Sequence, residues 1–218
     1  MKIEGSVDAE LVPAPVVLVT VGKGEAANII TIAWTGMVSD SPSMIGVSMM
    51  HSRHSYGLLC SLREFVVNIP RASDVDKVDV VGVVSGRKVA KFTEIGFTPL
   101  KASKVRPPLI AECPINLECA LRHQLMLGKY DLFVGEVVAA HYDDGVLDTK
   151  GRLKSTPDIG LTLVSLEYWT LGQKVGDFGH AGKEWRTARR RPHESRRDSA
   201  RAATLSGPEP PHMVSCRQ

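Results

Sequence analysis

Apolar and polar positions in this 218-residue chain alternate with a period of two over many short stretches, the pattern of half-buried strands. Residues 12–22 and 28–35 read as two strands joined by "GKGEAA", a connection of glycines and small residues. After a turn at "SDSPS", a third strand is predicted over 44–50. The period then lengthens in "HSRHSYGLLCSLRE", where Tyr56, Leu59, Leu62 and Phe65 recur at helical spacing, with Ser52 or Ser55 near the helix start. "EFVVNIP" is again a strand, stopped by Pro70. Two short helices follow between 73 and 96, with Ser73 and Ser85 as N-caps and Gly96 as a C-cap. The β pattern returns from "LIAECPINLECALRHQLML" through "YDLFVGEVVAAHYDD", and "GLTLVSLEYWTLG" supplies one more strand. Many strands with few helices predict a mainly β fold with peripheral helices, a barrel rather than βαβ units.

The strand at 28–35 poses a question of its own. Ile30, Ile32 and Trp34 share one face, while Thr31, Ala33 and Thr35 make the other small and half polar. A strand that only built a core would carry bulkier residues there.

Composition separates the chain into a body, 1–183, and a tail, 184–218. The tail holds eight arginines and four acidic residues and has little apolar periodicity, so no stable structure is expected from it. Its arginines could meet RNA or an acidic partner, but a solvated extension is the simpler reading. The body is close to neutral, so no nucleic-acid-binding face is expected. "MKIEGSVDAE" has no apolar signal core, and apolar runs such as "PVVLVTV" are strand-length, so a cytoplasmic protein without membrane association is expected. Cys60, Cys113, Cys119 and Cys216 form no common metal-binding spacing and are expected to be reduced thiols.

Among the motifs, "GKGEAA" fits a dinucleotide fingerprint by letters alone. That fingerprint requires a helix to begin at the glycines, and "NIITIAW" follows instead, so a turn between antiparallel strands is the better reading. His51 and His54 are three apart but lack acidic company, and no metal site is assigned. "SMMHSRHSY" places Ser48, Met49, Ser52, Arg53, His54, Ser55 and Tyr56 where a strand gives way to a helix. Hydroxyls, a guanidinium and free amides suit a phosphate dianion, or equally a polar loop with a serine N-cap. "SGRKVAKF" offers a second cationic helix start, with Lys91 inside it.

Taken together, "PVVLVTVG", "NIITIAWTGMVSDSPSMIGVSMMHSRHSYGLL", "EFVVNIP", "GVVSGRKVAKF", "PPLIAECPINLEC" and "LFVGEVVAAHYDDGVLD" resemble the flavin reductase-like, FMN-binding split-barrel family, in the style of its flavoredoxin-type members. The resemblance spans about residues 11–182 and implies a split β-barrel that binds FMN. Carried over by position, it implies that Asn28, Thr31, Ala33 and Trp34 lie along the isoalloxazine ring. Ser48, Met49, Arg53, His54, Ser55 and Tyr56 would form the phosphate loop, and Ser85, Gly86, Lys91 and Phe92 a further part of the site. Lys91 is expected at the pyrimidine edge of the flavin. The small face of strand 28–35 then becomes room for a flat ring, although Thr31 and Trp34 fall on opposite faces, so that either the strand twists or bulges between them or Trp34 acts from the neighbouring subunit. "LVSLEYWTLGQ" lacks the Tyr/Phe-rich run expected of the family, which leaves the identity of the aromatic cover over the flavin open.

The resemblance further implies NADH or NADPH as co-substrate, with hydride passing to the flavin and on to an acceptor, and a homodimer with each FMN near the subunit interface. No catalytic acid, base or nucleophile is assigned, because such a cofactor carries the chemistry itself. A flavoredoxin-type electron carrier, exchanging electrons with a redox partner protein rather than with NAD(P)H, is the alternative.

Overall fold

A computed structural model describes residues 1–5, 11–154 and 156–190 of the chain. Its strands are β1 (Ala14–Val21), β2 (Asn28–Ile32), β3 (Thr35–Asp40), β4 (Ser43–Met50), β5 (Glu64–Ile69), β6 (Pro99–Leu100), β7 (Leu109–Ile110), β8 (Ile115–Leu127), β9 (Tyr130–Tyr142), β10 (Leu161–Val164) and β11 (Glu167–Trp169). Its helices are α1 (His54–Leu62), α2 (Val75–Val83), α3 (Lys91–Ile95) and α4 (His180–Arg190). The mainly β fold with peripheral helices is thus observed.

The strands close on themselves. β1 pairs antiparallel with β2 on one edge and β5 on the other, β5 with β8, β8 with β9, β9 with β4, and β4 with β3. β2 runs into β3 through a bend at Ala33 and Trp34, where the Ser48 amide donates to the Trp34 carbonyl at 2.9 Å. This bend completes the barrel. The first residues of β1 instead pair with β10, which carries β11 beyond it, so β1 is split between two partners.

The alternation in β1 explains its unbroken apolar run. Val17, Val19 and Val21 point into the barrel with Ile30, Ile32, Val47, Phe65 and Phe133. Val16 and Leu18 point outward into a second cluster with Ile29, Val78, Val81 and Phe97. Both faces are buried, so neither can be polar. The sequence GKGEAA is a short 3₁₀ turn between antiparallel strands, as expected. Gly22 is required there: its φ is 76°, and a Cβ would lie 2.4 Å from the Ala26 carbonyl oxygen.

Several expectations need correction. "TGMVSD" is a strand in its own right, β3, hidden from pattern reading because it lies at a sheet end and is largely exposed. The segment after Ser85 does not start a helix. Ser85 accepts the Arg87 amide in a turn, and α3 begins only at Lys91. Ser73 lies in a 3₁₀ turn, and Asp74 holds the N-cap position of α2. Arg53, not Ser52 or Ser55, is the N-cap residue of α1. The last apolar stretch makes two strands rather than one.

The chain divides into two compact units, Met1–Gly172 and Gln173–Gln218. Helix α4 lies in the second and crosses the expected boundary at 183/184, so structure continues into the Arg-rich segment; Arg189 stacks over the Trp185 ring at 4.3 Å. The remainder of that segment, 191–218, and Cys216 with it, lies outside the described residues. Cys60, Cys113 and Cys119 are free thiols. Burial pushes the Cys119 thiol up to about 12 and the Cys113 thiol higher still, so both behave as small core hydrophobes.

Candidate functional site

β2 is paired only through β1, which leaves its other edge facing outward from the barrel wall. Two hollows meet along that edge. The first, about 180 Å³, lies between the start of β2 (Asn28, Ile30), the β4–α1 loop (Ser52, Arg53), the first turn of α1 (His54, Ser55), the end of α2 with its following turn (Val81, Gly82, Val84, Ser85, Gly86) and Lys91. The second, about 370 Å³, shares Ile30 and Arg53 with the first. It continues over Thr31, Ile32, Ala33 and Trp34, against Ser48, Met49, Met50, Tyr130, Leu163 and Leu166.

The first hollow is cationic and short of anions. Lys91 is only 4% exposed, and its Nζ donates to two carbonyl oxygens, of Ile29 at 2.8 Å and Val81 at 2.7 Å. Burial, and then the nearby Arg53 charge, lower its pKa to about 8. The Arg53 guanidinium has no hydrogen bond or ion pair among the described residues. No side chain among the described residues caps the start of α1; the Tyr56 amide donates to the Arg53 carbonyl at 3.1 Å, and the His54 and Ser55 amides before it remain available as donors. An ammonium, a guanidinium and a helix N-terminus around one small hollow form a place for a multiply charged anion.

The walls of this hollow are held tightly. Asn28, 4% exposed, donates from Nδ2 to the Ser55 hydroxyl at 2.8 Å, tying β2 to the first turn of α1. Gly86 presses on the same amide: a Cβ there would stand 2.2 Å from Asn28 Oδ1, so only glycine fits. Thr31 donates to the Val78 carbonyl at 2.6 Å and fixes α2 against the strand.

The second hollow resolves the question of strand 28–35. Alternation stops at Ile32, and the bend at Ala33 and Trp34 brings Trp34 round to the same hollow as Thr31. Trp34 is 62% exposed, and its ring lies 4.9 Å from that of Tyr130, centroid to centroid. The small face thus borders a slot with aromatic side chains at one end. A third hollow, about 510 Å³, adjoins it and shares Ala33, Trp34, Leu163 and Leu166; its remaining lining, residues 11–15, Thr35 and Ser165, carries no charge.

Of the residues expected at the site, all but Tyr56 and Phe92 line the first or second hollow. Tyr56 turns away: its hydroxyl donates to Asp131 at 2.8 Å, and its ring packs edge-on against Phe133. Phe92 packs against the outer core cluster. Lys91 lines the first hollow with Arg53 and Ser55 and does not line the second, where Trp34 lies. Pattern reading did not assign Tyr130, Leu163 and Leu166 to the site. They arrive from β9, β10 and the β10–β11 turn, distant in sequence, and the Tyr130 ring lies beside that of Trp34.

Residues 9–165 match the flavin reductase like domain, so the chain belongs to the flavin reductase-like family of flavin-binding proteins, and its fold is that family's split barrel. Among solved structures it is similar to a flavoredoxin from Methanosarcina acetivorans, at 29% identity and a TM-score of 0.78, over 85% of this chain and 99% of that one. It is also similar to an FMN-binding protein from Thermus thermophilus, solved with 1-cyclohex-2-enone bound, at 27% identity and a TM-score of 0.70, over 81% of this chain and 98% of the other. Among curated proteins it is 27% identical over 157 residues to an NADPH-flavin oxidoreductase of Streptomyces viridifaciens, covering 70% of this chain and 80% of that protein. No helix among the described residues is long and apolar enough to cross a membrane.

Proposed function

We propose that this chain binds FMN along the two adjoining hollows and acts as an NAD(P)H-dependent, flavin reductase-like oxidoreductase that passes electrons to an acceptor. The observation that carries this reading is Lys91, a buried ammonium whose partners among the described residues are carbonyls, sharing a hollow with Arg53, which has no partner among those residues, and with the start of α1. A phosphate dianion is the group whose chemistry fits that donor set. The neighbouring slot of small and aromatic residues suits a flat ring joined to it. A free sugar or a neutral ring alone would leave the cations without a partner.

Arg53, His54, Ser55 and Lys91 would hold the phosphate, Asn28 and Gly86 would set the width of the passage, and Thr31, Ala33, Trp34, Ser48, Met49 and Tyr130 would border the ring. When bound, FMN supplies the capacity to take up a hydride and return electrons singly or in pairs. The chain's part is to bind, orient and exclude water. The third, uncharged hollow beside Trp34 is where a small neutral acceptor would meet the ring edge; the enone seen in the Thermus thermophilus protein belongs to that chemical class.

One observation favours the flavoredoxin-type carrier as a second reading. The uncharged hollow offers nothing to hold the diphosphate of a dinucleotide. Anaerobic mixing separates the two. In the enzyme reading, NADH or NADPH bleaches the visible absorbance of the FMN-loaded protein within seconds. If neither does so while dithionite does, the chain is a carrier with a redox partner protein. A cytoplasmic homodimer is proposed with either reading, supported by exposed Met37 and Val38 on edge strand β3 and Met126 at the β8–β9 tip. A hydrodynamic mass of one chain would remove that proposal.

A further inference from the structure

Below the anion hollow lies a polar cluster that the flavin reading does not use. Asp131, on β9, is fully buried, yet its carboxylate accepts three side-chain hydrogen bonds. His51 Nε2 lies 2.7 Å from Oδ1, the Tyr56 hydroxyl 2.8 Å from Oδ2, and Gln124 Nε2 2.6 Å from Oδ2. The Gln124 bond first, then those from His51 and Tyr56, outweigh burial and hold the carboxyl below its usual range. The Asp131 bond is also the main cause that pushes the Tyr56 hydroxyl up to about 12, so it stays a donor. His51 is held a second time, by its amide on the Lys129 carbonyl at 3.2 Å.

The positions of the donors in the chain give the cluster its meaning. His51 and Tyr56 bracket the segment 52–55, and that segment carries Ser52, Arg53, His54 and Ser55 into the anion hollow. One buried carboxylate thus anchors both ends of the loop that presents the guanidinium and the first amides of α1. An exposed strand-to-helix loop without such an anchor would sample many conformations and lose binding free energy each time it was ordered by a ligand. The slot beside Trp34 is bounded by β2 and the bend, by Ser48, Met49 and Met50 of β4, and by Tyr130, Leu163 and Leu166; of segment 52–55 it takes in Arg53 alone.

We propose that Asp131, through His51 and Tyr56, is the positioning residue for the anion loop, and that it sets the preference of this site for a phosphorylated over an unphosphorylated flavin. This inference rests on the flavin reading. Asp131 lines neither hollow; its effect is greatest at the phosphate end, where all four residues of segment 52–55 stand, and only Arg53 of them also borders the slot.

The test is a pair of fluorescence-quenching titrations, with FMN and with riboflavin, on the full chain. Asp131→Ala removes both acceptor oxygens, so the His51 and Tyr56 anchors are lost together. His51→Ala removes one arm at a half-exposed position without opening the core. For both variants FMN affinity falls by about tenfold or more, as expected for a lost hydrogen bond to a charged group, while riboflavin affinity changes by less than about twofold. Equal losses for the two flavins would mean that Asp131 merely holds the fold, and the inference would be wrong. Unchanged FMN affinity in both variants would overturn it as well. If the unaltered chain binds neither flavin, the reading of the hollows fails first, before any variant is made.

Discussion

Lys91 concentrates the chemistry of the site in one residue. Its ammonium is buried against two carbonyls, and burial with the Arg53 charge brings its pKa to about 8 from an ordinary 10.5. A dianion beside it would favour the charged form again and raise that value. FMN binding must therefore take up a proton at alkaline pH. Affinity should be steady from about pH 7, where the phosphate is a dianion, to about pH 8 and fall above it, by up to about tenfold per unit, until the pKa of the filled site is reached. Lys91→Met should bind FMN at least about tenfold more weakly at neutral pH and show no such fall; a parallel fall in the variant would assign the proton elsewhere. Arg53 and Ser55 could be singled out from a cation and a hydroxyl beside a helix start, residues that equally suit a polar loop, whereas Asn28 and Gly86 were reached only through the family resemblance. Tyr56 and Phe92 were misplaced, because a residue's place in a motif does not fix which way it points. The partner that draws Tyr56 aside, Asp131, is 75 residues away in the chain.

At the level of elements, the bend at Ala33 and Trp34 lets β2 end, turns its side chains to a common slot and closes the barrel through β3. Its existence could be inferred from the conflict between Thr31 and Trp34 in a strict alternation; its position could not, since Ala33 and Trp34 are unremarkable strand residues. The late start of α3 was similarly hidden, because Ser85 satisfies a turn as readily as it caps a helix. A second device was invisible in the sequence. Glu118, wholly buried in β8, accepts the amides of Ser103, Lys104 and Val105, the Ser103 hydroxyl and a bond from His141, and so pins the loop that precedes β7. Burial acts to raise its pKa, but the amides and His141 prevail and bring it to about 2. Because the folded value is depressed, its contribution is complete above the unfolded pKa of about 4.3 and fades as pH falls toward 2. Glu118→Gln should destabilise the chain by about 2 kcal/mol at neutral pH and flatten the acid limb of its stability curve. An unchanged acid limb in urea titrations would show that the loop is held by other means.

Over the whole molecule, the barrel was legible because most of its strands alternate or run apolar for strand length, and because so many of them leave few helices to cover a parallel sheet. What lay beyond reach was the meeting of β2, α1, α2 and α3 at one edge, which only the closed topology brings about. Every residue lining the three hollows lies between Leu11 and Leu166, within the unit Met1–Gly172. The account therefore places flavin binding in that unit, with the phosphate as the principal handle. The most direct measurement is the affinity of the purified chain for FMN and for riboflavin, by fluorescence quenching, repeated on a chain ending at Gly172. The account predicts that FMN binds at least about tenfold more tightly than riboflavin, with the same preference in both chains. Equal affinity for the two flavins, or no binding of either, would contradict it.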